Sequence, residues 1–554
     1  MSAPVAPRAR RAAVLAAALT LVAAAGCGGG GGDAARSPTA TGAPPDPAGG
    51  TDGVDVPPVP ALVAESAGVS EPAPGAVGVA NLAVDAARTA AFPAARVAAA
   101  GPLPAHPQRP GDPARGREAL LGEDYVACGI PEGAYRRLLG DAPVPTLPGR
   151  EGPAADLPFF NNRIVNDDGV ALVTNNCLTC HGTPLFGEIV VGLGNEFLDF
   201  TDDASLAVER AGALVSGEAE IAAWERYADR VAAIAPHMRT RTVGTNPANN
   251  ITFALIAHRD PETNAWLEEP AVALPPTEAA PVSVPPWWRM KKKHAMFWMG
   301  EGRGDHARIM MAASILCSDS IEELEEIDAY APDVRAFIDS IEPPPWPFEL
   351  DEALAARGEG LFGTHCAGCH GRYGDAGVEA AAAGTGEGTD PGRYPNLLIP
   401  LEVVGTDPTL VEHAYSEAGL SYTDWFNRSW YGRAGLAAAG PGYVAPPLDG
   451  IWATAPYGHN GSVPNLTLWL DSTARPRHWR SLARSAEDPA DFDAVNVGWR
   501  HETLDAGQDA YADPAERARV YDTTLPGHDN GGHRFGDGLD ADERAAVVEY
   551  LKSL

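Results

Sequence analysis

One five-residue pattern, Cys-x-x-Cys-His, occurs twice in this 554-residue chain, at positions 177–181 and 366–370. Two thiols at this spacing add to the two vinyl groups of one porphyrin, and the adjacent histidine is then held below the iron as its proximal ligand. We call these positions the first motif and the second motif, and they predict two covalently attached c-type haems. The predicted attachment cysteines and proximal ligands are Cys177, Cys180, His181, Cys366, Cys369 and His370.

Two other uses of paired cysteines explain the pattern less well. A zinc ribbon contains two C-x-x-C pairs but does not require a histidine after either pair, and here a very long segment separates them. Thioredoxin-like redox motifs lie in a βαβ context that this sequence does not predict. The histidine that follows both pairs therefore favours haem c.

The charge of the chain limits its partners. There are 41 Lys and Arg residues against 74 Asp and Glu residues, and the formal net charge is −33. Binding to phosphate groups requires a basic surface, so we expect no nucleic-acid partner. The acidic balance is compatible with a basic protein partner or a cationic small molecule.

The N-terminus has the pattern of an export signal. Arg8, Arg10 and Arg11 precede an apolar run, residues 12–25, and the sequence A-A-G-C ends at Cys27. This ending resembles the lipobox of bacterial lipoproteins, in which the cysteine is acylated. We expect export to the periplasm or cell surface, with a lipid anchor on Cys27 as the membrane contact. The alternative is an ordinary cleaved signal with an incidental cysteine.

Composition divides the rest of the chain. Residues 28–116 are mostly Ala, Pro, Gly and Val, which predicts a disordered tether after the signal segment 1–27. A Pro-rich linker, residues 343–347, separates a first haem domain, residues 117–342, from a second, residues 348–554. Most periodic signals are helical. We expect a mainly α fold with two cytochrome c-like haem domains and long irregular loops.

Three segments carry the clearest helical patterns. These are residues 206–235, residues 321–331 after a Ser-Asp-Ser cap, and residues 540–554 after the Asp540 cap. A fourth helix, residues 350–362, precedes the second motif. Its pattern A-x-x-G-x-x-L-F resembles the first helix of cytochrome c domains, and this implies that the C-terminal helix crosses close to Gly358.

Several residues are candidates for the distal haem ligands. All seven Met lie at or before Met311, so the second domain contains no Met to bind its haem. The histidines available there are His413, His459, His478, His501, His528 and His533. The first domain offers His237, Met238, His258, Met290, His294, Met296, Met299, His306, Met310 and Met311. Each single histidine also has an ordinary structural interpretation, because most histidines bind no metal.

Residues 285–299 combine aromatic side chains, Met and basic residues. These aromatic and Met side chains fit the wall of a haem pocket, where Arg289 or a lysine would neutralise haem propionates. The alternative is an amphipathic segment with core aromatics and solvated lysines.

Cys128 and Cys317 remain after the motifs and the lipobox are assigned. In an oxidising compartment a disulfide between them would close a long loop and stabilise the fold by about 5 kcal/mol in the chain-entropy model. Two buried free thiols are the alternative.

Three further features complete the pattern. They are the stretch A-P-Y-G-H-N-G-S-V-P-N-L from Ala455, the stretch G-E-G-R-G-D-H-A-R-I-M-M-A-A from Gly300, and G-G-H-R-F-G from Gly531. Together with the two widely spaced motifs, they resemble the bacterial di-haem cytochrome c peroxidase superfamily, most closely its rubber-oxygenase-like branch. The resemblance covers roughly residues 117–554.

This resemblance implies a division of labour between the haems. The haem of the first motif would be open to hydrogen peroxide or dioxygen, and the haem of the second motif would have two histidine ligands and relay electrons. It also implies His533 as the distal ligand of the second haem. Trp288 matches the position of a tryptophan that lies near both haems in the superfamily, which makes it the candidate catalytic residue.

We therefore expect an exported haem oxidoreductase of the peroxidase or oxygenase type, served by a redox partner protein or an organic electron donor. The alternative is a non-catalytic di-haem electron carrier of the cell envelope, which the abundant Met near the first motif favours. The sequence does not indicate the natural substrate, or whether calcium is bound.

Overall fold

A computed structural model of the chain describes residues 101–374 and 394–554. The predicted signal segment, Cys27 and residues 28–100 of the predicted tether lie outside the described residues. Within the described ranges, no helix combines the length and apolar character that crossing a bilayer requires.

Short helices and short strands alternate along the described chain. The helices before the second motif are Pro113–Gly122, Glu132–Leu139, Leu178–His181, Ala204–Gly212, Glu218–Ile234, Ala248–Ala257, His306–Met310, Ile321–Asp328, Ala331–Ser340 and Glu352–His365. The remaining helices are Ala367–His370, Leu401–Val404, Thr409–Ala414, Glu417–Arg428, Leu466–Leu470, Pro514–Arg517 and Ala541–Lys552. A 3-10 helix, Trp287–Lys292, lies between the two motifs in sequence.

The strands form six small antiparallel sheets in the described residues. Three of these sheets have three strands each: Gly101–Pro102, Leu397–Pro400 and Gly442–Val444; Ile130–Pro131, Ala171–Asn175 and Asn161–Val165; and His501–Thr503, His478–Ser481 and Tyr521–Asp522. The two-stranded sheets pair Phe492–Asp493 with Gly498–Trp499, Gly182–Leu185 with Glu188–Val191, and Gly302–Gly304 with Gly435–Ala437.

The prediction of a mainly α fold is wrong. About 40% of the described residues are helical and 13% are in strands. Each strand has two to five residues, as in Phe492–Asp493 and Asn161–Val165. Runs this short contain too few alternations for a period of two to be recognised in the sequence.

Strands of the predicted tether and of the first predicted haem domain pair with strands of the second predicted haem domain. Gly101–Pro102 pairs with Leu397–Leu398, and Gly302–Gly304 pairs with Gly435–Ala437. The largest buried cluster extends from Tyr125 to Ala437. The two motifs therefore lie within one continuous packing arrangement, and the predicted linker, residues 343–347, runs through it without a helix or strand of its own.

The last part of the predicted tether, residues 101–116, is folded. Arg109 donates to both carboxylate oxygens of Asp328, at 2.8 and 2.6 Å, and it also pairs with Asp305. Asp112 caps the helix Pro113–Gly122 by accepting from the backbone N–H of Ala114. The local composition is poor in apolar residues, so it does not reveal these long-range ion pairs.

The predicted helices are present with shifted bounds. The 206–235 pattern forms two helices, Ala204–Gly212 and Glu218–Ile234, and Gly217 before the second of them adopts a φ of 98°. Ser320 caps Ile321–Asp328 through the N–H of Glu323. At the C-terminal helix, Asp540 and Glu543 form a reciprocal capping box.

Candidate functional site

A short helix presents the first motif. Strands Asn161–Val165 and Ala171–Asn175 lead into Leu178–His181, whose first turn follows Cys177. The backbone N–H of Cys177 donates to the hydroxyl of Tyr125 at 3.1 Å. Both thiols of the motif are half-buried and are not joined in a disulfide. Two unpaired thiols on one helical turn beside a histidine fit thioether attachment of one haem.

His181 is held by the 3-10 helix Trp287–Lys292. The ring of Trp287 stacks on the imidazole with centroids 4.9 Å apart and an interplanar angle of 23°. Burial lowers the pKa of His181 to about 4, against a smaller opposite effect of the Pro285 carbonyl. The ring is therefore neutral near pH 7, which is the form that binds a metal.

A helix crossing positions the second motif. Helix Glu352–His365 runs directly into Ala367–His370, and Gly358 lies against the C-terminal helix Ala541–Lys552. A Cβ at Gly358 would collide with the backbone carbonyl of Ala546. The absence of a side chain at this one position therefore allows the close crossing that the resemblance implies.

The ring of His370 is oriented by a backbone carbonyl. Its Nδ1 lies 2.8 Å from the carbonyl oxygen of Pro446. With Nδ1 as the donor, Nε2 is left as the metal-binding nitrogen, the usual arrangement of a histidine ligand. The hydroxyl of Tyr373 donates to the carbonyl of His370 at 3.0 Å and fixes the backbone of the motif.

His533 faces His370. Their ring centroids are 6.2 Å apart, with an interplanar angle of 55°. A metal–imidazole bond is about 2 Å long and the ring centroid lies about 1 Å beyond the nitrogen, so two imidazoles on opposite sides of one metal have centroids about 6 Å apart. Burial holds the pKa of His533 well below its usual value, so the ring is neutral. His370 and His533 are therefore the residues that would hold one haem iron between them.

Arg475 fixes the loop that carries His533, and sequence reasoning missed it. Its Nη1 donates to the carbonyl oxygens of Asn530 at 2.6 Å and Gly532 at 2.8 Å, and its Nη2 donates to that of His533 at 3.3 Å. The loop needs this support because His533 adopts a φ of 44°, in the left-handed region. An arginine distant in sequence gives no local signal of such a role.

The other candidate histidines of the second half have different neighbours. The ring of His459 stacks on Tyr443 with centroids 4.0 Å apart. His528 lies 3.3 Å from the Thr242 hydroxyl, and His478 lies 3.4 Å from a carboxylate oxygen of Asp522. His501 packs edge-on against Trp479, and burial lowers the pKa of His413. His533 is the candidate whose ring lies at contact distance from His370.

Trp288 and Trp287 point into different clusters. Trp288 is fully buried, and its indole N–H donates to the carbonyl of Asp449 at 2.8 Å. It packs in the cluster that contains Phe362 and Ala367, next to the second motif. Trp287 packs with Leu178 of the first motif. The predicted Trp288 thus lies toward the second motif, whereas its neighbour contacts the predicted ligand of the first.

A small cavity is lined by residues from both halves of the chain. Its volume is about 60 Å³, and aromatic side chains including Phe197, Trp479 and Trp499 line much of it. Glu196 also lines the cavity; its Oε1 accepts from the Ser283 hydroxyl and the Val284 N–H, both at 2.9 Å. Burial raises the pKa of Glu196 to about 8. Nothing in the local sequence marks this glutamate.

Cys128 and Cys317 are joined in a disulfide, with Cα atoms 5.7 Å apart. This resolves the two alternatives that the sequence left open. The bond links the beginning and end of the first half of the fold, where both cysteines are buried in one cluster.

The first-half candidates for a distal ligand have other neighbours in the structure. Met290, Met296 and Met310 share a hydrophobic cluster with Leu178 and Trp287. Four other candidates have ring nitrogens near backbone carbonyls: His237, His258, His294 and His306. The last three are buried in core clusters: Met238, Met299 and Met311. Within the described ranges, no three His, Cys, Asp or Glu side chains are grouped to hold a metal ion.

One part of the chain is similar to a known family. Residues 442–480 match the sequence model of a family described as RoxA-like, cytochrome c-like. The matched segment includes Arg475 and the Ala455–Leu466 stretch. The match supports a cytochrome c-like relationship and haem c as the cofactor.

Two relatives come from Sinorhizobium fredii (strain NBRC 101917 / NGR234). The uncharacterized protein y4iJ is 29% identical over 294 residues, which cover 44% of this chain and 46% of the relative. The uncharacterized protein y4iM is 29% identical over 306 residues, which cover 50% of this chain and 66% of the relative. The chain therefore spans about half of the first relative and just under two thirds of the second.

Proposed function

We propose that this protein is an exported di-haem c-type cytochrome that acts as an oxidoreductase of the di-haem peroxidase or oxygenase type. Its small oxidant, hydrogen peroxide or dioxygen, would be bound at the haem of the first motif, and the second haem would relay electrons. The observation that carries this proposal is the difference in imidazole pairing. His533 faces His370 at 6.2 Å, whereas Trp287 is the aromatic ring that contacts His181.

All fourteen histidines of the chain lie in the described residues. No second imidazole among them is in ring contact with His181. When bound, a haem iron supplies reversible one-electron exchange, and an iron with an open axial position also binds dioxygen or peroxide. The paired site therefore suits electron transfer, and the site at His181 suits binding of a small oxidant.

Residues of the chain itself support electron transfer at the second site and between the two sites. The Pro446 carbonyl orients the imidazole of His370, and Arg475 holds the backbone of His533, so residues of the chain itself would keep both imidazoles in place around a bound haem. Trp287 and Trp288 are consecutive residues whose rings lie toward the first and second motif. A pair of indoles in this position supports electron exchange between the two sites.

The cell-envelope location is part of the proposal. The lipobox-like sequence before Cys27 supports a lipid anchor, and the disulfide Cys128–Cys317 supports an oxidising compartment. A redox protein or an organic donor would supply electrons, and the net charge of −33 supports a basic partner surface.

The test uses the full chain purified from a host that matures c-type haem. We expect haem on the peptides of both motifs by mass spectrometry, one low-spin haem, and one high-spin ferric haem that binds carbon monoxide and reacts with peroxide. As a matched control, a Cys366→Ser/Cys369→Ser variant should keep the carbon monoxide adduct.

Two results would contradict the proposal in different ways. Two low-spin haems that ignore carbon monoxide and peroxide would make the protein a non-catalytic electron carrier. A colourless protein of unmodified mass would exclude haem chemistry altogether.

A further inference from the structure

Arg289 is a buried cation with an incomplete set of partners. Arg289 is 4% exposed, and its Nε donates to the carbonyl oxygen of Asp449 at 3.0 Å. Its Nη2 is buried and has no hydrogen-bond partner. In the described residues, no carboxylate lies within ion-pair distance of this guanidinium. Burial of a charge without a hydrogen-bonded counter-ion is costly, so Nη2 is a donor suited to an anionic partner.

Asp449 does not supply that anion. One of its carboxylate oxygens, Oδ1, accepts from the ammonium group of Lys292 at 2.6 Å. The other, Oδ2, is buried and has no partner. Its backbone carbonyl already receives the indole N–H of Trp288 and Nε of Arg289. The aspartate thus neutralises Lys292 and leaves Nη2 of Arg289 available.

The surroundings of Arg289 belong to the second motif. Lys292 lies over the ring of Tyr373, 5.0 Å from its centroid, and the hydroxyl of Tyr373 donates to the carbonyl of His370. The carbonyl oxygen of Pro446, three residues before Asp449, lies 2.8 Å from Nδ1 of His370. Arg289, a residue of the first half of the chain, therefore contacts the same segment that positions the histidine of the second motif.

We propose that Arg289 binds a propionate carboxylate of the haem attached to Cys366 and Cys369. This inference rests on the proposed function, because it requires haem at the second motif. A guanidinium matches a carboxylate in geometry and charge, and such pairs are the strong form of hydrogen bond. The sequence places Arg289 in the predicted first haem domain, whereas its contacts lie beside the second motif. The arginine would then join the two halves through the cofactor.

The experiment measures the reduction of each haem in Arg289→Gln, in Arg289→Lys and in the intact full-length holoprotein. A cation beside a propionate favours the reduced, less positive haem. In Arg289→Gln we therefore expect the reduced-to-oxidised ratio of the low-spin haem, at one fixed potential, to fall about tenfold, which corresponds to about 1.4 kcal/mol. Arg289→Lys keeps the charge without the planar fork, so it should fall less.

Lys291→Gln is the matched control, because it removes one positive charge from the same 3-10 helix at a side chain that pairs with Glu342 on the surface. It should leave the ratio unchanged. An unchanged ratio in Arg289→Gln, or a change confined to the high-spin haem, would overturn the assignment. Mass spectrometry of the peptide with Cys366 and Cys369 distinguishes failure of this inference from failure of the proposed function. If that peptide carries no haem, both fail.

Discussion

The two motifs share one five-residue pattern but have different surroundings. The second motif ends a helix that crosses the C-terminal helix at Gly358, and its histidine faces a second imidazole. The first motif follows a small sheet, and its histidine is stacked by Trp287. Under the proposed function, the pattern would attach a haem at each motif, and the surrounding chain would determine what each iron can bind.

Charge separates the two regions as well. Glu196 lies near the first motif, and burial raises its pKa to about 8, so its carboxyl is neutral near pH 7. Arg289 acts on the second motif. A neutral buried carboxyl near one site and a buried guanidinium cation near the other give the two copies of one pattern different electrostatic environments. Such a difference favours unequal redox properties over two equivalent carriers.

The largest expected effect is on the spin state of the second haem. His533→Ala should convert that haem from low spin to high spin, because it removes the imidazole that faces His370. Optical and electron paramagnetic resonance spectra would measure the change, and added imidazole should restore the low-spin signal. His501→Ala is the control, since that ring packs against Trp479. An unchanged spectrum in His533→Ala would move the assignment to His459 or His528.

The helix crossing gives the next effect. Gly358→Ala places a methyl group against the Ala546 carbonyl and should lower the free energy of unfolding by about 3 kcal/mol. Gly360→Ala, in the same helix, meets no atom within 4 Å and should raise it by about 0.5–1 kcal/mol. Denaturant unfolding followed by circular dichroism would compare them. Equal stabilities of the two variants would show that the crossing does not hold the second region together.

Local patterns explain which parts of the fold were predictable. Some helices could be predicted from signals that span only a few residues of sequence. These signals are the caps at Ser320 and Asp540 and the glycine at Gly358, and the structure contains the helices that they predicted. The sheets depend on partners far apart in sequence, such as Gly101–Pro102 with Leu397–Leu398. A two-residue strand is too short to show a periodic sequence pattern. Such strands could not be predicted, so the mainly α prediction was wrong.

The candidate site divides in the same way. Sequence analysis named both motifs and chose His533, because each has a recognisable local pattern or a resemblance. It did not find Arg475, Glu196 or the ring of Trp287 against His181, since these roles arise from contacts between distant segments. Single polar residues carry no signal until the fold brings their partners together.

Over the interval that the test covers, about pH 6 to about pH 8, the smallest expected effect is a pH dependence of stability at Glu196. The pKa of Glu196 is about 8 in the folded protein, because burial opposes ionisation more than the hydrogen bonds from Ser283 and Val284 favour it. Its pKa in the unfolded chain is about 4. The carboxyl's contribution to stability is thus fully present below about pH 4 and is lost as the pH rises toward 8, by at most about 1.4 kcal/mol per pH unit.

Glu196→Gln keeps the shape and a neutral side chain, so it should flatten this decline, which urea unfolding at about pH 6 and about pH 8 would measure. Glu188→Gln, at an exposed position of strand Glu188–Val191, is the control and should keep the decline. A decline that persists undiminished in Glu196→Gln would mean that this carboxyl is already ionised in the folded protein. In that case the first region would contain a buried anion, and its electrostatic contrast with Arg289 would be larger than the neutral form implies.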